Sequence, residues 1–196
     1  MKKLLLLITF ISLPSYSAVS ANVSFASDYI WRGMTQSDGP AIQGGFDYAN
    51  DSGFYAGIWG SNVNFNDGAG SELDYYFGYG FEMGGIGVDL GYVAFDYPDN
   101  TTGLDFEEIV IGLSMGDLGL TFALGQDGAP DYTEVSYGIG AVGIAYGQYD
   151  DYGDNLSISY GFTCGTYDCG LAYSDFSDDG YGADEDALVL SVSASL

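Results

Sequence analysis

The feature of this sequence that most constrains its fold is a recurring alternation of apolar residues with small or acidic ones. Between residues 73 and 83, every odd position holds Leu, Tyr, Phe or Met, whereas the even positions hold Asp, Tyr, Gly or Glu. The same alternation recurs at residues 86–92, 109–115, 118–124 and 188–196. Because the side chains of a β-strand point to opposite faces in turn, a period of two predicts strands with one apolar face. The sequence therefore predicts an all-β protein.

The connections between these strands have two lengths, which alternate along the chain. Short turn signals occur at residues 50–53, 84–85, 116–117, 140–141 and 164–169. Longer, polar connections occur at residues 35–39, 66–71, 98–103, 126–131, 150–155 and 175–186. Six long connections interleaved with five short ones predict about 12 strands, with both termini on the short-turn side. Since bacterial outer-membrane barrels have short periplasmic turns and longer outer loops, we predict a transmembrane, antiparallel, up-and-down β-barrel over residues 22–196.

A soluble, secreted β-sandwich would show the same alternation and is the main alternative. Two properties of the strands favour the barrel. The apolar face is rich in Tyr, Trp and Phe, which form the interfacial girdles of membrane barrels. The opposite face consists largely of Gly, Ser, Ala and acidic residues, which suit a wet lumen better than a dry core.

The first residues predict a secretory signal peptide over residues 1–21. Lys2 and Lys3 precede an apolar run at residues 4–13, and small residues allow cleavage after Ser17 or after Ala21. The apolar run is too short for a membrane helix. Together with the predicted barrel, the signal predicts a location in the outer membrane of a Gram-negative bacterium.

The acidic composition limits the partners and the chemistry of the chain. It has 28 Asp and Glu against 3 Lys and Arg, and it has no His. Once the signal is removed, Arg32 is the single basic side chain. Nucleic-acid binding through a basic surface is therefore excluded, and cations are attracted. A Ser-His pair cannot form without His, and nothing distinguishes one pair of carboxylates among so many as acid and base. We therefore predict that the protein is not an enzyme, and we predict no cofactor.

The N-terminal part of the predicted barrel resembles a known family. The motifs that carry the resemblance are SDYIWRG at residues 27–33, followed by Gln36, PAIQGGFDY at 40–48, GFYAGIWGSNV at 53–63 and ELDYY at 72–76. They resemble the TorF family of outer-membrane porins over roughly residues 23–98, and beyond that the likeness is one of strand rhythm and length. The resemblance implies an outer-membrane barrel with a porin-like role. It implies no catalytic residues and no particular substrate.

Strand parity assigns side chains to the two faces of the predicted barrel. Residues of the first strand that are predicted to face lipid are Val23, Phe25, Tyr29 and Trp31. Residues predicted to face the lumen are Asp28, Arg32, Asp47, Asp74, Glu82, Asp89, Glu108 and Glu134. Arg32 has two interpretations: it tunes ion passage at a constriction, or it pairs with lumen carboxylates and locks the first strand to its neighbours. Because rings of carboxylates favour cations, the sequence predicts a narrow, cation-preferring porin for small solutes.

Two other functions stay open at this stage. The lumen acids could bond to one another, to Tyr and to water and so fill the barrel, since a 12-strand barrel lies between filled small barrels and open large ones. The protein would then be a non-conducting structural or surface-interaction barrel. Its acidic outer loops would bind divalent cations, a partner, or lipopolysaccharide through bridging cations, in addition to the lipids around the barrel. A secreted, soluble acidic β-protein is the third alternative.

Two local motifs complete the set of candidate sites. Oxygen-bearing residues in the last long connection have the spacing of a calcium loop, and they are Asp175, Ser177, Asp179 and Asp186. A solvated acidic loop is the other interpretation of that segment. Cys164 and Cys169 allow a disulfide across a tight turn in a secreted protein, and two free thiols are the alternative.

Overall fold

The computed structural model describes residues 18–65, 68–98, 103–180 and 182–196, and its described residues form strands and connections. The strands, in chain order, are β1 (Ala18–Ala26), β2 (Ile30–Trp31), β3 (Met34–Thr35), β4 (Ala41–Ala49), β5 (Phe54–Asn62), β6 (Ser71–Met83), β7 (Ile86–Asp96), β8 (Phe106–Met115), β9 (Leu118–Gly125), β10 (Tyr132–Ile139), β11 (Val142–Tyr149), β12 (Gly153–Cys164), β13 (Tyr167–Asp178) and β14 (Glu185–Ser195). Residues 1–17 of the predicted signal peptide lie outside the described part of the chain.

Twelve of these strands form a closed antiparallel barrel. Each barrel strand pairs with the next along the chain, and β14 returns to pair with β1, so that Phe25 lies opposite Val192. The remaining two strands, β2 and β3, pair only with each other. The prediction of an all-β, 12-strand antiparallel barrel is confirmed. Among the described residues, no helix is long and apolar enough to span a membrane.

The connections at the two ends of the barrel differ in length, as the turn signals predicted for all but one of them. One end carries the five short turns, of which four have two residues, among them Gly84-Gly85 between β6 and β7. Both glycines have a positive φ, at 63° and 83°, which is the conformation that a two-residue turn between twisted strands requires. The opposite end carries the other six connections, of which five are longer. The connection predicted as long at residues 150–155 is instead a three-residue turn between β11 and β12, at residues 150–152, so this part of the prediction was wrong. We call the end with the five short turns the inner end of the barrel and the opposite end the outer end.

The apolar side chains of most strands point away from the barrel interior. Phe77 is 52% exposed, whereas its neighbour Gly78 is buried on the inward face. The same alternation holds along β14, where Leu188 and Leu190 are exposed and Val189 is buried. A sandwich would bury its apolar face, so this arrangement excludes the β-sandwich and gives the barrel an apolar outer surface.

The first strand begins and ends earlier than predicted, and the chain then enters the barrel. β1 ends at Ala26, and residues 27–40, which we call the lumen hairpin, fold into the outer half of the lumen. The prediction that Tyr29 and Trp31 face lipid was wrong, because these side chains are only 4% and 9% exposed in the interior. The chain reverses at Arg32 and Gly33, which both have a positive φ, and this reversal breaks the parity of β1.

Gly33 is required where the lumen hairpin meets the barrel wall. Its φ is 93°, a conformation that side chains rarely adopt. A Cβ atom at this position would lie 2.7 Å from Cβ of Asn155 and 2.9 Å from Cβ of Phe176. Close contact with β12 and β13 therefore fixes the tip of the hairpin against one side of the barrel.

Candidate functional site

Arg32, at the tip of the lumen hairpin, forms a buried ion pair with the barrel wall. Its Nη1 and Nη2 atoms donate to Oε1 and Oε2 of Glu108, each over 2.7 Å, and Glu108 is 1% exposed. The guanidinium carbon lies 4.1 to 4.7 Å from the ring centres of Trp31, Tyr132 and Tyr149. A bidentate pair inside an aromatic cage holds both charges where water is scarce. These contacts correspond to the structural interpretation of Arg32, although the residue belongs to the hairpin and not to the first strand.

Tyr29 anchors the hairpin to a second buried carboxylate. Its hydroxyl donates to Oε1 of Glu72 over 2.9 Å, and Glu72 is 1% exposed. Burial raises the pKa of Tyr29 well above its ordinary value, and the charge of Glu72 adds to this effect. The hydroxyl therefore stays protonated and remains a donor. Asp74 occupies the next inward position of β6, and the Trp59 ring meets the Tyr29 ring edge-on at 5.4 Å.

Trp31 fills the centre of the outer half of the lumen. Its ring lies 5.7 Å from Phe95, 5.9 Å from Phe106 and 5.6 Å from Tyr149, between centroids. These partners come from β7, β8 and β11, so one side chain joins strands that are far apart in sequence. The lumen hairpin is thus packed against the wall on several sides.

The remaining polar residues of the hairpin hold its own shape. Oδ1 of Asp28 accepts hydrogen bonds from the hydroxyls of Thr35 over 2.8 Å and of Ser37 over 3.0 Å. The backbone N–H of Thr35 donates to Oε2 of Glu185, on β14, over 2.8 Å. Asp28, which parity had placed on the first strand, belongs to the hairpin instead and organises it.

Glu134 lies deeper in the outer half of the lumen, on β10. Its Oε2 atom accepts a hydrogen bond from the hydroxyl of Tyr132 over 2.8 Å. The same hydroxyl lies 3.1 Å from Oδ1 of Asn155. Because Tyr132 also faces the Arg32 guanidinium, Glu134 belongs to the polar network around the hairpin tip.

The inner half of the lumen is lined mainly by small side chains, and we call it the inner chamber. Inward positions there include Gly80, Gly91, Gly112, Ser114, Ser136, Ser157, Ser159 and Ser191. Three predicted acids face this chamber. Asp47 accepts hydrogen bonds from the Tyr76 hydroxyl and from Nδ2 of Asn22, and Asp89 accepts one from the Tyr55 hydroxyl over 2.7 Å. Glu82 is exposed at the inner end.

The tyrosines of the inner chamber lie flat over glycines of neighbouring strands, and this packing is testable. A Cβ atom at Gly78 would overlap the ring and hydroxyl of Tyr55, whereas a Cβ atom at Gly80 would meet only Oδ2 of Asp89 at 3.5 Å. We expect Gly78→Ala to lower the free energy of unfolding by about 1–3 kcal/mol, because the Tyr55 ring must move. Gly80→Ala, two residues away on the same strand, is the matched control and should leave it nearly unchanged. Urea unfolding in detergent micelles measures both, and equal effects would contradict the packing.

The four residues of the predicted calcium loop are spread over β13, β14 and the connection between them. Asp175 and Asp186 lie opposite each other on the outward face of β13 and β14, and Asp175 accepts a hydrogen bond from Tyr173 over 3.2 Å. Ser177 belongs to β13, and Asp179 follows its end. In the described ranges, no group of three or more acidic, His or Cys side chains is placed to hold a metal ion. Asp178, which the sequence did not single out, organises this connection by accepting from the backbone of Gly180 and Gly182.

The two cysteines are joined. A disulfide links Cys164, at the end of β12, to Cys169 on β13, across the short turn at residues 165–166. Both residues lie at the inner end of the barrel, away from the lumen hairpin. The bond therefore fixes a turn and takes no part in the lumen site.

Sequence reasoning missed Glu72 and the tyrosines that bind the lumen acids. Glu72 shares the inward parity of Asp74 and Glu82 on β6, so the same rule would have found it. Tyr55 and Tyr76 are inward aromatic residues on strands whose aromatic residues mostly face outward. Parity alone could have placed them in the lumen, and the neighbouring glycines are the signal that space exists for their rings.

A closed 12-strand barrel with an apolar outer surface and an acidic, tyrosine-rich lumen has the features of the class of bacterial outer-membrane barrels. The chain belongs to the Gcw_chp family, whose model matches residues 14–179 and whose description is a bacterial protein of unknown function. A search of the curated proteins found no match.

Proposed function

We propose that this protein is a channel of the bacterial outer membrane, of the TorF porin type, that passes small cations by diffusion without catalysis or a cofactor. The observation that carries the proposal is the charge of the lumen. The one guanidinium inside it is paired with Glu108. Further inward carboxylates form no ion pair among the described residues, and they are Asp47, Glu72, Asp74, Glu82, Asp89 and Glu134. Unbalanced negative charge in a narrow lumen concentrates cations and repels anions.

The shape of the lumen divides the proposed path into two parts. The inner chamber is lined by small side chains, and it would hold water and ions freely. The lumen hairpin narrows the outer half, where Trp31 and Arg32 occupy the centre of the barrel. The hairpin would therefore set the size limit for solutes, and the acids around it would set the charge preference.

The outer surface fits the same proposal. Exposed apolar side chains surround the barrel, and lipid would cover them in a membrane. The acidic connections would face outward, where bridging cations would join them to lipopolysaccharide. This orientation follows the rule that longer loops lie on the outer side.

Conductance across a planar bilayer tests the proposal directly. The refolded protein without its signal peptide should give discrete current steps, and under a salt gradient the reversal potential should have the sign of a cation-selective pore. Insertion without steps, checked by heat-dependent migration on a gel, would overturn the channel function. A reversal potential of the anionic sign would overturn the role of the lumen acids.

The acids of the inner chamber should determine the selectivity. We expect the double variant Glu82→Gln and Asp89→Asn to move the reversal potential towards zero, because two lumen charges are removed while the Tyr55 hydroxyl keeps an oxygen acceptor. The matched control removes two charges from the outward face, through Asp175→Asn and Asp186→Asn. An equal shift in both double variants would show that surface charge, and not the lumen, sets the selectivity.

The density of contacts around the hairpin favours a second candidate function. If Arg32, Tyr29 and Trp31 hold the hairpin rigidly, the barrel is a non-conducting structural or surface-interaction protein. For a non-conducting barrel, we expect no current steps from correctly folded, inserted protein.

A further inference from the structure

A cavity of about 1130 Å³ opens at the outer end of the barrel, and we call it the outer vestibule. The lumen hairpin contributes Trp31 and Gln36 to its lining, and the barrel rim contributes Phe106, Tyr149 and Glu185. Its volume slightly exceeds the usual range of about 300–1000 Å³ for small-molecule sites. The vestibule can therefore hold a small molecule together with some water.

The charges of the vestibule select the sign of its ligand. Its described lining includes five carboxylates and no basic side chain. Asp96 and Glu107 occupy outward positions at the rim, Asp105 and Asp127 belong to connections, and Glu185 occupies an inward position of β14. Arg32 is the one basic residue once the predicted signal is removed. It pairs with Glu108 and does not line the vestibule. An anionic solute would meet only like charge here, whereas a cation is attracted by every charged group.

The aromatic residues of the vestibule select the kind of cation. Tyr149 and Tyr152 are stacked with their ring centres 4.6 Å apart, and Phe95 and Phe106 are stacked at 4.3 Å. Aromatic faces attract poorly hydrated organic cations, and they also cover apolar groups. A hydrated metal ion would use the carboxylates but not the rings.

Within the protein, the Arg32 guanidinium is an organic cation that already contacts aromatic rings of the vestibule. The Arg32 guanidinium lies over the rings of Trp31 and Tyr149, at 4.1 and 4.7 Å, and both rings also border the vestibule. The aromatic cluster at the base of the vestibule therefore already binds one organic cation in the folded chain.

We propose that the outer vestibule binds small organic cations of the quaternary ammonium class, with the cationic head against Tyr152 and Glu185 and the apolar part over Phe106. The proposal names a class of solute for the entrance of the proposed channel. Only the role of the vestibule as an entrance rests on the proposed function. The binding site itself requires no conduction.

Binding is measured on folded protein in maltoside micelles, where no current is needed. The chain has two Trp residues, so Trp59→Phe leaves Trp31 as the only Trp reporter at the base of the vestibule. Choline should change the Trp31 emission in a saturable way. The neutral isostere 3,3-dimethyl-1-butanol has carbon in place of the charged nitrogen, and it should cause no saturable change.

Two variants locate the site. Glu185→Gln removes one charge but keeps an oxygen acceptor for the N–H of Thr35, and Tyr152→Leu removes one ring. Each should weaken choline binding by about three- to tenfold. Tyr173→Leu, which removes a tyrosine from the outward face of β13, is the matched control and should leave binding unchanged.

The outcomes separate this inference from the channel function. An equal response to choline and to its neutral isostere, or equal weakening by Tyr152→Leu and Tyr173→Leu, would overturn the site. If Trp59→Phe does not fold, calorimetric titration of the wild-type protein with the same two compounds gives the same decision. Saturable choline binding by a barrel that gives no current steps would support the vestibule site and overturn the channel.

Discussion

Replacing Arg32 by Met should lower the free energy of unfolding of the barrel by about 3–5 kcal/mol, because Glu108 then stays buried without its partner. Glu108 is 1% exposed, and both of its carboxylate oxygens accept from Arg32. Met keeps much of the length of the side chain and can still pack against Trp31, Tyr132 and Tyr149. The loss should therefore come mainly from the orphaned charge.

Two further variants separate charge from packing. Arg32→Met combined with Glu108→Leu should recover most of the loss, since an apolar pair of similar volume replaces a buried ion pair at little cost. Arg32→Lys should be intermediate, because an ammonium group cannot donate to both oxygens in the same planar geometry. Urea unfolding in micelles gives the three free energies. If the double variant is no more stable than Arg32→Met, packing and not the unpaired charge causes the loss.

The barrel walls were predictable because lipid-facing and lumen-facing positions alternate with the period of the strand. Along β6, Tyr75, Phe77 and Tyr79 all point outward, as the alternation indicates. Turn chemistry supported the same assignment, since Gly84-Gly85 needs two positive φ values that few other residue pairs provide. Local pattern and global fold agree in these segments, and the strand count follows from them.

The lumen hairpin was not predictable by the same rule. Tyr29 and Trp31 continue the parity of Val23 and Phe25, and an apolar aromatic residue suits a lipid-facing surface as well as a buried plug. Composition cannot separate these two environments, because both exclude water. Whether Tyr29 and Trp31 face lipid or the lumen depends on the chain reversal at Arg32 and on contacts with strands far along the sequence.

The partner of Arg32 illustrates why site geometry needs the closed barrel. Parity placed several acids on the inward face, and any of them could have met the guanidinium. The residue that does so, Glu108, lies 76 positions away along the chain. Only the order and tilt of the strands bring its carboxylate to the hairpin tip, so the sequence indicated the type of contact but not the partner.

Removing the lumen hairpin should raise the single-channel conductance severalfold. Ala26 and Ala41 are directly paired across β1 and β4, so residues 27–40 can be replaced by Asn-Gly to give a two-residue turn that preserves the ladder. The deletion removes Trp31 from the centre of the lumen and exposes the Glu72 and Glu108 carboxylates to water. Conductance should rise because the narrowest part of the path is gone, and cation preference should also rise because Arg32 leaves with the hairpin.

The matched control keeps the hairpin and weakens a single anchor. Tyr29→Phe removes only the hydroxyl that donates to Glu72. The conductance of this variant should therefore stay close to that of the wild type and well below that of the deletion. Both variants must show heat-dependent migration as closed barrels before their currents are compared. An unchanged conductance in the folded deletion would place the narrowest point elsewhere, in the inner chamber, where Tyr55 and Tyr76 reach from the wall to Asp89 and Asp47. A severalfold increase would make the hairpin the element that limits passage, and the two variants together would then show whether its mere presence or its attachment to Glu72 closes the path.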